Sequence, residues 1–108
     1  VMIARLARPA LAGTALLLLS ALPGAASDPQ DGRRIAERWC ASCHVVSKEQ
    51  VRGQDGVPSF ATIGAREGLD ERSLAAFLAS PHPAMPDMAL SRPETAALVA
   101  WIKAQGGR

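Results

Sequence analysis

Cys40-Ala41-Ser42-Cys43-His44 is the stretch that decides how this chain reads. Two thiols lie three positions apart, about one helical turn, and an imidazole follows directly. A thioredoxin-like dithiol also shows C-x-x-C, but after a strand in a βαβ context, and here both flanks read helical. A zinc site needs four ligands. Beyond Cys40, Cys43 and His44 only His82 is of the usual type, and adjacent cysteine and histidine fit poorly around one tetrahedral ion. A disulfide between Cys40 and Cys43 would close almost no chain and stabilise little. Two thiols without a role would be a liability in an oxidising compartment. The spacing C-x-x-C-H is that of covalent haem attachment. Each thiol adds to one vinyl group of a porphyrin, and His44 offers its imidazole to the iron from the same side.

Upstream of the motif, helical periodicity predicts a helix over Pro29 to Ala41, capped by Ser27 or Asp28. Gly32, Ile35, Ala36 and Trp39 share one face at spacings of three and four. Before it, residues 1–26 read as a secretory signal peptide. Arg5 and Arg8 form a basic start, and Ala10 to Leu22 is an uncharged, mostly apolar run. Gly24-Ala25-Ala26 supplies the small residues a signal peptidase reads. The run is short of the roughly 20 residues a membrane-spanning helix needs. Cleavage after Ala26 is expected, leaving one domain over residues 27–108, an exported and periplasmic protein with no stable membrane insertion.

Downstream, residues 46–68 read as a long irregular segment with one helical turn near Phe60–Ala65. A helix follows, capped by Asp70, with Leu74, Phe77 and Leu78 as an apolar stripe and Ser80-Pro81 at its end. Pro81, Pro83 and Pro86 stiffen a loop carrying His82, Met85 and Met88. Ser91-Arg92-Pro93-Glu94 is a capping box that opens the last helix. Its apolar face is Ala97, Leu98, Trp101 and Ile102, and Gly106-Gly107 stops it. No alternating strand is evident, so the class is all-α: three main helices and long loops.

The totals fit this picture once the leader is set aside. The chain has 108 residues, 48% of them apolar, and a formal charge of +2. That is one small domain, too apolar to be disordered and too weakly charged to argue for nucleic acid. Arg5 and Arg8 account for the whole +2, so residues 27–108 are formally neutral. These residues include 34 apolar side chains, a small core for 82 residues. A domain of this size usually needs a staple, and a covalent haem is a large apolar one.

In order along the chain, these parts resemble the class I c-type cytochromes, of the small bacterial monohaem kind. The resemblance covers residues 28–108. It rests on Gly32 eight residues before Cys40, the C-A-S-C-H motif, Gly56-Val57-Pro58-Ser59-Phe60, His82-Pro83-Ala84-Met85-Pro86, and the final Leu98-Val99-Ala100-Trp101-Ile102. It implies the cytochrome c fold wrapped around one covalently bound haem c, with His44 and Met85 as iron ligands and Cys40 and Cys43 as thioether attachments. It also implies that the Pro58 carbonyl orients the His44 ring, and that Gly32 allows a close crossing with the last helix beside Leu98 and Trp101. Met88, His82 and an open site are the alternatives to Met85. One departure is Ala36, where the family often carries an aromatic residue whose volume Ile35 or Trp39 would fill. Another is the shortage of lysine, since only Lys48 and Lys103 follow the leader. Arg52, Arg66 and Trp39 are candidate propionate partners. The implied function is single-electron transfer between redox partner proteins, not enzymatic turnover. The rival readings are a haem subunit held in a periplasmic dehydrogenase or reductase, and a peroxidase-like haem with an open sixth position.

Overall fold

The computed structural model describes residues 28–80 and 83–107, so the leader expected at 1–26 and the alternative ligand His82 lie outside it. Among the described residues all regular structure is helical: α1 (Pro29–Trp39), α2 (Phe60–Gly64), α3 (Glu71–Ala79) and α4 (Arg92–Gly106). The class is all-α, as the periodicity predicts, and the turn expected near Phe60 is the short helix α2.

Each helix begins on a side-chain cap, because the first N–H groups of a helix have no partner within it. Asp28, Ser59, Asp70 and Ser91 accept from Gln30, Thr62, Ser73 and Glu94 respectively. At α4 the box is complete. The Glu94 side chain accepts the Ser91 N–H at 2.7 Å while Ser91 Oγ accepts the Glu94 N–H at 3.3 Å. Such a cap typically contributes about 1 kcal/mol.

Helix α4 is the centre of the domain, and α1, α2 and α3 all pack on it. Its Ala97, Leu98, Trp101 and Ile102 are buried, as expected, and so are Val99, Thr95 and Gln105. Burying a side chain such as Leu98 or Ile102 contributes roughly 1.5–3 kcal/mol. Two glycine contacts set the spacing. A Cβ on Gly32 would overlap the Ala97 carbonyl, so α1 crosses α4 backbone to backbone. At the other end of α4, Gly106 meets Gly64 of α2 with equally little room. An exposed Lys103–Glu71 ion pair of 2.8 Å adds a weak tie between α4 and α3.

Three details depart from the sequence reading. Helix α1 ends at Trp39, two residues before the expected Ala41. Trp39 is not a core residue, being 38% exposed with the Arg38 guanidinium 5.2 Å from its ring centre. Ala36 is fully buried, and partly buried Ile35 rather than Trp39 packs on the core beside it. Phe77, placed on the stripe of α3, is 50% exposed, while Leu74 is buried and Leu78 packs on the core.

Candidate functional site

The chain turns once more after α1, and that turn builds the site. Cys40 caps the helix, donating its N–H to the Ala36 carbonyl. The N–H groups of Cys43 and His44 then both reach the Cys40 carbonyl, at 3.1 and 2.8 Å. This winding puts two thiols and an imidazole on one turn, the arrangement that the spacing predicts. Neither cysteine is in a disulfide. Cys40 is buried and Cys43 half-buried, and burial pushes the Cys40 thiol up to about 11. Desolvation disfavours the thiolate, so at neutral pH Cys40 is a protonated thiol.

His44 is oriented from behind. Its Nδ1 lies 2.6 Å from the Pro58 carbonyl oxygen. A carbonyl can only accept, so Nδ1 carries a proton, and in the neutral ring the lone pair is then on Nε2. Fixing one ring nitrogen in this way is how ligating histidines are held at metal centres. The ring also tilts against Phe60, with centroids 5.5 Å apart. Pro58 precedes the Ser59 cap of α2, and Phe60 is buried in the core, so α2 anchors the strand of chain that holds the imidazole.

The backbone after the motif is irregular, yet its polar groups are taken one by one. The Cys43 carbonyl accepts from the Gln54 N–H at 2.8 Å, and the Val45 carbonyl from the Phe60 N–H at 2.9 Å. The Val46 carbonyl accepts from the Trp101 indole N–H at 2.8 Å. The His44 carbonyl accepts from the Gln50 amide at 2.8 Å. Gly53 permits the return of the chain, since a Cβ there would stand 2.7 Å from the Cys43 carbonyl oxygen. Neither Gln50 nor Gly53 stands out in the sequence as a site residue. Their partners are backbone groups, which carry no residue signature.

The structure therefore brings together Cys40, Cys43, His44 and Pro58. Met85 lies in the loop between α3 and α4. Both loop methionines are half-buried, but Met88 packs against the hydrophobic core together with Leu90. Ala89 in this loop adopts a φ of 47°, and its N–H is held by the Asp87 carboxylate at 2.9 Å. The candidate propionate partners Arg52, Arg66 and Trp39 are all exposed.

These residues fit a covalently held haem. Two unbonded thiols and an imidazole with a free Nε2 share one turn, which is the donor set that attachment needs. They do not gather as a bare-metal site, since no group of three or more His, Cys, Asp or Glu among the described residues could hold an ion. Among the same residues no helix is long and apolar enough to cross a membrane.

Comparison with known proteins points the same way. Residues 27–102 match the family described as cytochrome c oxidase, cbb3-type, subunit III. The chain is 46% identical over 77 residues to a protein named cytochrome c-552 from Bradyrhizobium diazoefficiens, an alignment covering 71% of this chain and 74% of that protein. No solved structure matches it.

Proposed function

The chain belongs to the small class I c-type cytochromes, a family of covalent haem c proteins that transfer electrons, and from that premise we propose that it is a periplasmic carrier with one haem held by Cys40 and Cys43 and ligated by His44 and Met85. When bound, haem c supplies an iron couple that takes up and returns one electron. The observation that carries the reading is the 2.6 Å contact from His44 Nδ1 to the Pro58 carbonyl, directly behind the C-x-x-C-H turn. That bond fixes the tautomer of the neutral ring and leaves Nε2 as the nitrogen that would ligate the iron.

Met85 supplies the second donor on this reading. A thioether is a weak, soft ligand that favours the ferrous state, so the reduction potential is expected to be positive. Pro83 and Pro86 limit the freedom of the loop and lower the cost of holding the sulfur still. With His44 and Met85 both engaged no coordination position is left for substrate, which favours electron transfer over turnover. The apolar run Ala10 to Leu22 with its small-residue end supports export to the periplasm. Residues 27–108 balance acidic and basic groups, so association with redox partners should depend only modestly on salt.

A second reading is a subunit held in a larger redox complex, favoured by one observation: the matched family is described by an oxidase subunit. The mass of the native assembly separates the two, since a free carrier elutes alone and a held subunit does not.

The ligand assignment is tested by spectroscopy of protein produced with haem-attachment machinery. The ferric form should be low-spin with a methionine–iron band. Met85→Ala should abolish that band, and Met88→Ala should leave it. The reverse result would move the sulfur ligand to Met88.

A further inference from the structure

Gln50 lies in the irregular segment between α1 and α2, half-buried, and its amide is spent entirely on backbone. Its Oε1 accepts the Val46 N–H at 3.0 Å. Its Nε2 faces three carbonyls, those of Ala41 at 2.9 Å, His44 at 2.8 Å and Arg52 at 2.7 Å. Two N–H groups serve three acceptors, so one hydrogen is shared. The Ala41 and His44 carbonyls bracket Cys43, so a single side chain spans the motif from its interior to its end. Glutamine alone among side chains of this length presents a donor and an acceptor on one planar group. Glutamate has no donor at neutral pH, and lysine has no acceptor.

The neighbouring carbonyls are held by other means. Phe60 and Trp101 secure Val45 and Val46, and both are buried core residues. Gln50 is not part of that core. The His44 ring is fixed at Nδ1 by Pro58, and its main chain is fixed at the carbonyl by Gln50.

We propose that Gln50 is a positioning residue for the proximal ligand: its amide locks the main chain of the C-x-x-C-H turn, and this sets the orientation that the His44 imidazole presents to the iron. The inference rests on the haem-carrying reading above. It makes Gln50 act through His44, with no contact to the iron itself.

The test compares wild-type holoprotein with Gln50→Met, which keeps length and bulk and removes every hydrogen bond of the amide. Three readouts are taken: the paramagnetically shifted His44 ring resonances of the ferric form, the midpoint potential, and hydrogen exchange at the Val46 amide. The proposal expects the ring resonances and the potential to shift together. It also expects Val46 exchange to accelerate about five- to tenfold, as loss of one ordinary hydrogen bond implies. A variant that is merely less stable, with His44 resonances and potential unchanged, overturns it. A second measurement needs no variant. In the wild type the two Gln50 side-chain N–H protons should exchange slowly and show couplings across hydrogen bonds to the Ala41 and His44 carbonyl carbons. Fast exchange without such couplings overturns the proposal even if Gln50→Met fails to fold. Wild-type protein that gains no haem mass fails at an earlier, separate step, and refutes the reading on which the proposal stands.

Discussion

The segment carrying His44 and the loop carrying Met85 are both irregular backbone, yet they are held by different means. The first is fastened from a distance. Pro58 just before α2, Phe60 of α2 and Trp101 of α4 reach it, and the Trp101 bond joins residues 55 apart in sequence. The second relies on local devices: Pro83 and Pro86, the Asp87–Ala89 turn, core packing by Met88 and Leu90, and the capping box where α4 begins. The His44 segment is thus tied to distant elements of the domain, while the loop is held by its own neighbours and, through Met88 and Leu90, by the core. If His44 and Met85 ligate the iron as proposed, a strong nitrogen ligand would stand on the distantly fastened side and a weak thioether on the locally held side, a consistent division for an iron that changes charge.

The largest test of this contrast is the core beneath His44. Phe60→Ala removes a buried ring that packs on His44, and should cost roughly 3–5 kcal/mol in denaturant unfolding. Met88→Ala, at a half-buried position in the loop, should cost clearly less. Equal losses would mean that the loop belongs to the same cooperative unit as the proximal segment.

A smaller effect is expected from Trp101→Phe, which preserves most of the ring and deletes the indole N–H. The Val46 carbonyl then loses its partner, at a cost of about 1–3 kcal/mol. Amide exchange should rise around Val46 and stay unchanged over residues 83–90. Faster exchange spread evenly over both regions would erase the distinction.

The smallest effect is one of pH. Hydrogen bonds from Ser73 hold the Asp70 carboxyl below its ordinary value, and hydrogen bonds from the Ser91 N–H and hydroxyl do the same for Glu94. For a carboxylate depressed in the folded state, the stabilisation is fully present above the unfolded value, 3.8 for Asp70 and 4.5 for Glu94. It is lost as pH falls through the lower folded value. These two groups cap the helices on either side of the methionine loop. In the proximal segment Glu49 is held below its ordinary value too, chiefly by a backbone hydrogen bond and also by Arg33, but the bonds to residues 43–46 themselves come from amide, indole and carbonyl groups. Acidification below the ordinary carboxylate range should therefore weaken the methionine–iron band before it exposes the core. Glu94→Gln should flatten the acid limb of the melting temperature. Loss of band and core at one pH would contradict the contrast.

What the sequence disclosed follows the same line. The C-x-x-C-H turn, the Ser91–Glu94 box and the Asp70 cap are local patterns, legible because their partners lie within four residues. Gly32, Pro58 and Met85 became legible only through resemblance to a family. The Gly32 contact with α4 and the His44–Pro58 bond stand in the structure as that resemblance implies. Gln50, Gly53 and the Gly64–Gly106 contact stayed hidden, because each is defined by distant backbone that no residue pattern encodes. Helical spacing places Trp39 and Phe77 on apolar faces, and protein atoms alone leave both exposed, because spacing shows which residues share a face and not what covers it.

The central claim is a single haem c joined to Cys40 and Cys43. Intact-mass measurement of protein exported with haem-attachment machinery, paired with a pyridine haemochrome spectrum, tests it directly. The account predicts residues 27–108 plus the mass of one haem, the spectrum of a porphyrin with both vinyl groups saturated, and loss of the two-thioether spectrum in Cys43→Ala. A chain of unmodified mass, or haem that is released by acidified solvent, would contradict it.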